Sequence, residues 1–175
     1  SVFDTSHMAK FILKGKEAAS ELGMIVTADV KKLRAGRCRY CFILNEKGGI
    51  VDDAVVYAVS PEEYMLVSNA GTKEKDMEWV SSRLAKTELA DADTFMDKID
   101  VQGPLSADVL KEVLGTDLSA LSFYGFGSYS VMGSNCIISY SGYTGEKGYE
   151  LYTKREKTVE VWDALLRDGR VKPAG

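Results

Sequence analysis

Two adjacent carboxylates, Asp52 and Asp53, stand in the run Ile50 to Val59, whose other members are almost all apolar. A charged group in such a run loses its hydration and needs a partner or a chemical task. A carboxylate held in that setting suits acid–base or electrostatic work. Neighbouring residues of a strand point to opposite faces, so the two are not expected to act as a pair on one side. Alternation places Asp53 with Val55 and Tyr57, without saying which face is the functional one. A second candidate is the stretch Gly142 to Glu150, with glycines at 142, 145 and 148. These permit a ligand to approach the backbone closely, with Tyr143 to stack on it and Glu150 to hydrogen-bond it. His7 is the only histidine, so no base-plus-ligand scheme is available to it. Cys38 and Cys41 have C-x-x-C spacing, but no second such pair follows. Tetrahedral zinc needs four ligands, so these cysteines read as small strand residues and no metal is expected.

The elements that must position these groups follow from pattern. Ala9 to Lys14 reads as a strand, and Lys16 to Leu22 as a short helix. Five basic residues (Lys31, Lys32, Arg34, Arg37 and Arg39) read as a solvated loop or as a site for an anionic ligand tail or an acidic partner. Tyr40 to Leu44 and Ile50 to Val59 read as strands joined by a hairpin over Asn45 to Gly49. Tyr64 to Ser68 is a further strand. Thr72 is placed to cap a helix with Met77, Val80 and Leu84 inward and Lys73, Glu74, Lys75, Asp76 and Glu78 in solvent. Ile99 to Gln102 reads as a strand stopped by Gly103-Pro104. Ser106 is placed as the cap of a helix that Gly115 ends. Tyr129 to Met132, Asn135 to Tyr140 and Leu151 to Thr153 read as strands. A last helix, Thr158 to Leu166, has Val159, Trp162, Leu165 and Leu166 as its expected apolar face. Residues 8–95 are expected to form a strand-rich lobe, and 1–7 with 96–175 part of a second.

Composition removes several classes. A formal charge of −4 argues against a nucleic-acid binder, which is normally basic. No apolar run is long enough for a membrane-spanning helix. No signal peptide is visible. Three cysteines cannot all pair, which favours a reducing compartment. With no phosphate loop and no dinucleotide fingerprint, a nucleotide cradle is not expected.

Six stretches then occur in order: Phe3-Asp4-Thr5-Ser6-His7-Met8, Asn45 to Asp53, Glu74-Lys75-Asp76, Gln102-Gly103-Pro104, Gly142 to Glu146, and Val171 to Gly175. Together they resemble the aminomethyltransferases of the glycine cleavage system, the T-protein family. The resemblance implies an α+β folate-binding fold of mostly antiparallel sheets with flanking helices, in two lobes around tetrahydrofolate. It implies transfer of an aminomethyl group from the lipoyl arm of the H-protein, release of ammonia and formation of methylenetetrahydrofolate. The family's key aspartate falls on Asp53, which would accept a proton from the folate amine and stabilise an iminium-like carbon. The resemblance places the family's pterin-binding glutamate on Glu150, and the chemistry suits it, because one carboxylate accepts the two adjacent N–H donors of a pterin side by side. Tyr143, Tyr40, Asn69 and Met8 fall on positions near the folate, with Tyr124 and Phe123 as further aromatic neighbours.

The resemblance also implies segments on both sides of residues 1–175, including a C-terminal domain. The family arginine just past Gly175 would then be lacking, so this stretch alone is expected to bind folate poorly and to be inactive. The expected compartment is the cytoplasm, or the mitochondrial matrix in a eukaryote. Two positions depart from the family pattern: Tyr140-Ser141 where Arg-Thr is usual, and Ala28-Asp29 where Asn-Asp is usual. Three rivals remain open: another folate-dependent enzyme of this fold (a demethylase, or the folate module of a sarcosine or dimethylglycine oxidising enzyme), a non-enzymatic folate-binding protein, and a scaffold that binds nothing. Asp52 beside Asp53 favours the glycine-cleavage reading.

Overall fold

The computed structural model describes all residues 1–175. In chain order the strands are β1 (Val2–Asp4), β2 (Ala9–Lys14), β3 (Arg37–Leu44), β4 (Ile50–Ser60), β5 (Glu63–Ser68), β6 (Glu88–Asp91), β7 (Met96–Gln102), β8 (Phe126–Val131), β9 (Ser134–Ser139) and β10 (Gly148–Lys154). The helices are α1 (Ala18–Leu22), α2 (Lys73–Ser81), α3 (Ser106–Leu114) and α4 (Arg155–Leu166). They fall into two compact units, Met8–Asp93 on one hand and Ser1–His7 with Thr94–Gly175 on the other. Each contains one five-stranded sheet, and the strand pairs within both sheets are antiparallel. The expected α+β class is the observed one.

In Met8–Asp93 the strand order is β3-β4-β5-β2-β6. The β3–β4 hairpin is closed by Asn45. Its backbone N–H donates to Gly49 O (2.8 Å), and its side-chain Oδ1 accepts from the N–H groups of Lys47 (3.0 Å) and Gly49 (2.9 Å). Gly48 takes φ 77°, which a side chain would disfavour. One sheet face packs Phe11, Leu13, Ile43, Val56 and Leu66 against Leu22 and Val80. The opposite face is also buried where Val55, Tyr57, Met65 and Val67 lie. The middle of β4 therefore needs an almost continuous apolar run, as its sequence has.

In the other unit the order is β1-β7-β10-β9-β8. Ile99, Val101, Ile138 and Leu151 pack against Val109 and Leu110 of α3 and Val161 and Leu165 of α4. The β8–β9 turn carries Met132 and Gly133 at φ 49° and 74°, the mirror-image turn that matches strand twist. Gly115 ends α3 at φ 67°.

Several expectations are corrected. Arg37 and Arg39 belong to β3 and not to a loop. Thr72 and Ser106 make no capping bond: the Thr72 hydroxyl is turned towards carboxylates, and Ser106 lies inside α3. Asp76 is not on a solvated face but fully buried. In α4 the inward stripe is Val161, Ala164 and Leu165, while Val159 is 70% exposed. A helix with apolar residues at 159, 161, 162, 165 and 166 has a broad stripe, and only the sheet beneath decides where its centre falls.

Candidate functional site

In Met8–Asp93 the two carboxylates diverge as alternation requires. Asp53 opposes Phe42 across the β3–β4 ladder, and Tyr40 opposes Val55, so these residues share the face opposite the α2-backed core. Asp52 points the other way, towards the start of α2. One side chain nevertheless joins them across the strand end. Asn69, one residue past β5, donates its Nδ2 to Asp52 Oδ1 (2.8 Å) and to Asp53 Oδ1 (3.0 Å). An amide has two N–H bonds, so it can serve one carboxylate on each side of a strand end. The backbone N–H of Asp53 also donates to Asp52 Oδ1 (2.8 Å). Asp53 is thus held by a neutral amide, and a carboxylate so held keeps acceptor positions for another donor.

Behind Asp52 lies a group that sequence reading missed. The Thr72 hydroxyl contacts Asp52 Oδ2 and lies 3.1 Å from Asp76 Oδ2. Burial pushes the Asp76 carboxyl up to about 6, and the charge of Asp52 adds to the shift. Burial opposes the charge on Asp52 too, but hydrogen bonds from Asp76, Thr72 and Asn69 outweigh it and hold its pKa below the usual value. Asp76 sits in the charged run Lys73 to Glu78, where only the neighbourhood of Val80 and Met77 hints at an inward position.

Extending the ladder by one residue puts Met8 beside Asn69, since Ala9 pairs with Ser68. The Met8 carbonyl accepts from the buried Lys10 Nζ (2.6 Å), which also pairs with Asp93 (2.8 Å). Tyr40 is 39% exposed and packs edge-on against Phe42, centroids 5.5 Å apart. Phe42, Asp53, Asn69 and Met8 therefore form a row across one end of this sheet, with Tyr40 beside it. The basic stretch partly lines a cavity formed by Lys31, Lys32 and Arg34 with Ser60, Pro61 and Tyr64.

In the other unit, alternation along β7 puts Lys98, Asp100 and Gln102 on the sheet face away from α3 and α4. Register brings them opposite Tyr152, Glu150 and Gly148. Glu150 is buried. Lys98 Nζ lies 2.6 Å from Asp100 Oδ1 and 2.7 Å from Glu150 Oε1. The Ser139 hydroxyl donates to Glu150 Oε2 (3.3 Å), and so does that of Ser141. Burial opposes the charge on Lys98, but Glu150 and Asp100 outweigh it and raise its pKa. Burial pushes Asp100 up to about 6 against the pull of Lys98. Tyr143 is 58% exposed, its ring centroid 5.9 Å from Lys98 Nζ. Gln102 braces the loop between them: its Nε2 donates to Ser141 O (3.2 Å) and its Oε1 accepts from Thr144 Oγ1 (3.3 Å). A Cβ at Gly142 or Gly148 would collide with the Gln102 side chain where it stands, so glycine at both lets Gln102 keep this position. Tyr124 adopts φ 58°, donates its N–H to Tyr140 O (2.9 Å) and tilts against Phe123 at 4.4 Å.

No group of histidine, cysteine and acidic side chains is arranged to hold a metal ion. All three cysteines are free and buried. Burial pushes the thiols of Cys41 and Cys136 up to about 12, which leaves them unreactive. No helix is long and apolar enough to cross a membrane.

Two helix-backed antiparallel sheets with polar groups on their other faces are the α+β fold of the glycine cleavage T-proteins. The crystal structure of glycine cleavage system aminomethyltransferase T from Bartonella henselae superposes with a TM-score of 0.90 at 30% identity, over 99% of this chain and 47% of that one. The chain belongs to the family described as the GCVT N-terminal domain, which matches residues 1–175. The aminomethyltransferase of Pseudothermotoga lettingae is 40% identical over 100% of this chain, and that of Geobacillus sp. is 38% identical over 99%. The chain spans about half the length of these curated relatives, 49% in each case. A heterotetrameric sarcosine oxidase from Corynebacterium sp. shares the fold, with a TM-score of 0.69 at 16% identity.

Proposed function

We propose that the protein carrying this chain is a tetrahydrofolate-dependent aminomethyltransferase of the glycine cleavage system. It takes an aminomethyl group from the lipoyl arm of the H-protein, releases ammonia and forms methylenetetrahydrofolate. The observation that carries this reading is the identity of up to 40% with proteins named aminomethyltransferase along the entire chain. The residues present fit the co-substrate. A reduced pterin supplies the N–H donors that Glu150, already oriented by Ser139 and Ser141, is chemically suited to accept. In this reading Tyr143 and Tyr124 offer aromatic faces to the ligand, and Met8, Tyr40 and Asn69 flank Asp53.

Asp53 is the catalytic residue of the proposal. Its carboxylate, oriented by Asn69, accepts the proton of a reacting amine nitrogen and stabilises positive charge as ammonia departs. Because a neutral amide holds it, its negative charge is not cancelled by a cation and stays available to the reaction. Lys31, Lys32 and Arg34 are the proposed contact for an acidic tail or carrier. The cytoplasm is the proposed compartment for a bacterial-type protein, and the mitochondrial matrix for a eukaryotic one.

The test uses the whole natural protein with an aminomethyl-loaded lipoyl carrier and tetrahydrofolate. Methylenetetrahydrofolate and ammonia in equal amounts support the reading. Turnover only with a free N-methylated amine would replace it with the demethylase reading.

A further inference from the structure

We propose that Asp76 is a positioning residue for Asp53, acting in its protonated form through the chain Asp76–Thr72–Asp52–Asn69–Asp53. The proposal rests on the aminomethyltransferase reading only for the meaning of Asp53. The chain itself rests on geometry.

The Thr72 hydroxyl owns one proton, yet it faces two carboxylates, touching Asp52 Oδ2 and lying 3.1 Å from Asp76 Oδ2. One proton cannot bond both. If both carboxylates were charged, one would face the hydroxyl's lone pairs, and both would repel across a single residue. The nearest ammonium, Lys75 Nζ, lies 3.8 Å from Asp76 Oδ1 on a side chain that is 51% exposed, and it donates to Val51 O at 2.6 Å. It therefore does not neutralise a side chain buried to 0% exposure. A proton on Asp76 resolves the arrangement. That proton bonds Thr72 Oγ1 or the adjacent Asp52 carboxylate directly, and in either case it removes the repulsion between the two acids and leaves the Thr72 proton for Asp52. Asp52 stays anionic and accepts the Asn69 amide through its other oxygen (2.8 Å). That bond fixes the amide with nitrogen, not oxygen, towards the strand end, so its second N–H reaches Asp53 (3.0 Å). The direction of the elevated Asp76 pKa agrees with this assignment.

Two substitution pairs test the chain in the whole protein. Asp76→Asn keeps a neutral donor at the same place, whereas Asp76→Ala removes it. Thr72→Ser keeps the hydroxyl, whereas Thr72→Val removes it at nearly constant shape. The expected result is a fall in kcat of about tenfold or more for Asp76→Ala and Thr72→Val, with KM for the carrier little changed. Asp76→Asn and Thr72→Ser should stay within about threefold of wild type. If Asp76→Ala does not fold, the Thr72 pair alone decides. Wild-type kcat in Thr72→Val, or an Asp76→Asn protein as impaired as Asp76→Ala, would overturn the proposal. Crystal structures of the same variants give a readout independent of activity. Asn69 Nδ2 should remain bonded to Asp53 in Asp76→Asn and Thr72→Ser and leave it in Thr72→Val; an unmoved amide in Thr72→Val contradicts the chain. Wild-type protein inactive with every aminomethyl carrier would sink the functional reading, while the Asn69 geometry would still judge the chain.

Discussion

In the unit built from 1–7 and 94–175, two buried carboxylates share a buried lysine: Lys98 lies 2.6 Å from Asp100 and 2.7 Å from Glu150. In Met8–Asp93, the buried Asp76 and its neighbour Asp52 share the Thr72 hydroxyl instead, Asp52 and Asp53 share the Asn69 amide, and the ammonium nearest Asp76 is 3.8 Å away and half in solvent. Both sites pay for desolvation, and in both a carboxyl is pushed up to about 6, Asp100 in one and Asp76 in the other. The remedies differ in what they leave for chemistry. A lysine fixes charge permanently and anchors Glu150, the carboxylate proposed to bind the pterin. In the acidic cluster Asp53 is held by the Asn69 amide and not by a lysine, as its proposed role requires. The first arrangement suits holding and the second suits reacting.

Removing the cation should have the largest effect. Lys98→Met leaves Asp100 and Glu150 buried without a counter-charge, and a loss of about 3–5 kcal/mol of stability is expected in urea titration. Restoring neutrality with Asp100→Asn in the same protein should recover part of it. A loss below about 1 kcal/mol would show that this site does not depend on its lysine.

The acidic cluster responds with pH instead. Asp76 is raised from 3.8 to about 6, so the folded state binds its proton more tightly than the unfolded one. Its contribution is complete below pH 3.8 and is lost as pH rises through about 6. Asp76→Asn carries no such group. It should exceed wild type by about 1–3 kcal/mol at pH 8 and lose that advantage by pH 4, read from denaturant midpoints across pH. Asp52, whose pKa is lowered, acts only nearer and below pH 3.8 and does not cancel this trend. A constant difference between the two proteins from pH 4 to 8 would break the contrast between the clusters.

Smaller effects lie at the Gly142–Gly148 loop. Gln102→Ala removes its bonds to Ser141 and Thr144, and about 1 kcal/mol of stability with faster amide exchange through the loop is expected. Tyr143→Ala should change stability by less than about 0.5 kcal/mol, because the ring is mostly exposed, while weakening tetrahydrofolate binding in titration calorimetry. A Tyr143→Ala protein that binds tetrahydrofolate normally would remove that ring from the site.

The strands, the Asn45–Gly49 hairpin and the divergence of Asp52 from Asp53 were legible because they follow from period-two alternation and turn chemistry. Asp76 was not, because a charged residue in a helical charged run looks solvated until a strand end with Asp52 is laid against it. Lys98, Asp100 and Gln102 alternate along β7 and could have been placed on one face. What a sequence does not state is that the face is covered, and coverage turns a polar stripe into a buried ion cluster. Asn69 escaped as a bridge for a similar reason. Its two partners come from β4, and only the β4–β5 register sets the amide between them.

The most direct measurement is single-turnover formation of methylenetetrahydrofolate by the whole protein from aminomethyl-loaded lipoyl carrier, wild type against Asp53→Asn. Loss of the chemical step by about a hundredfold or more, with tetrahydrofolate affinity retained, is the predicted result. An Asp53→Asn protein that turns over at the wild-type rate would contradict it.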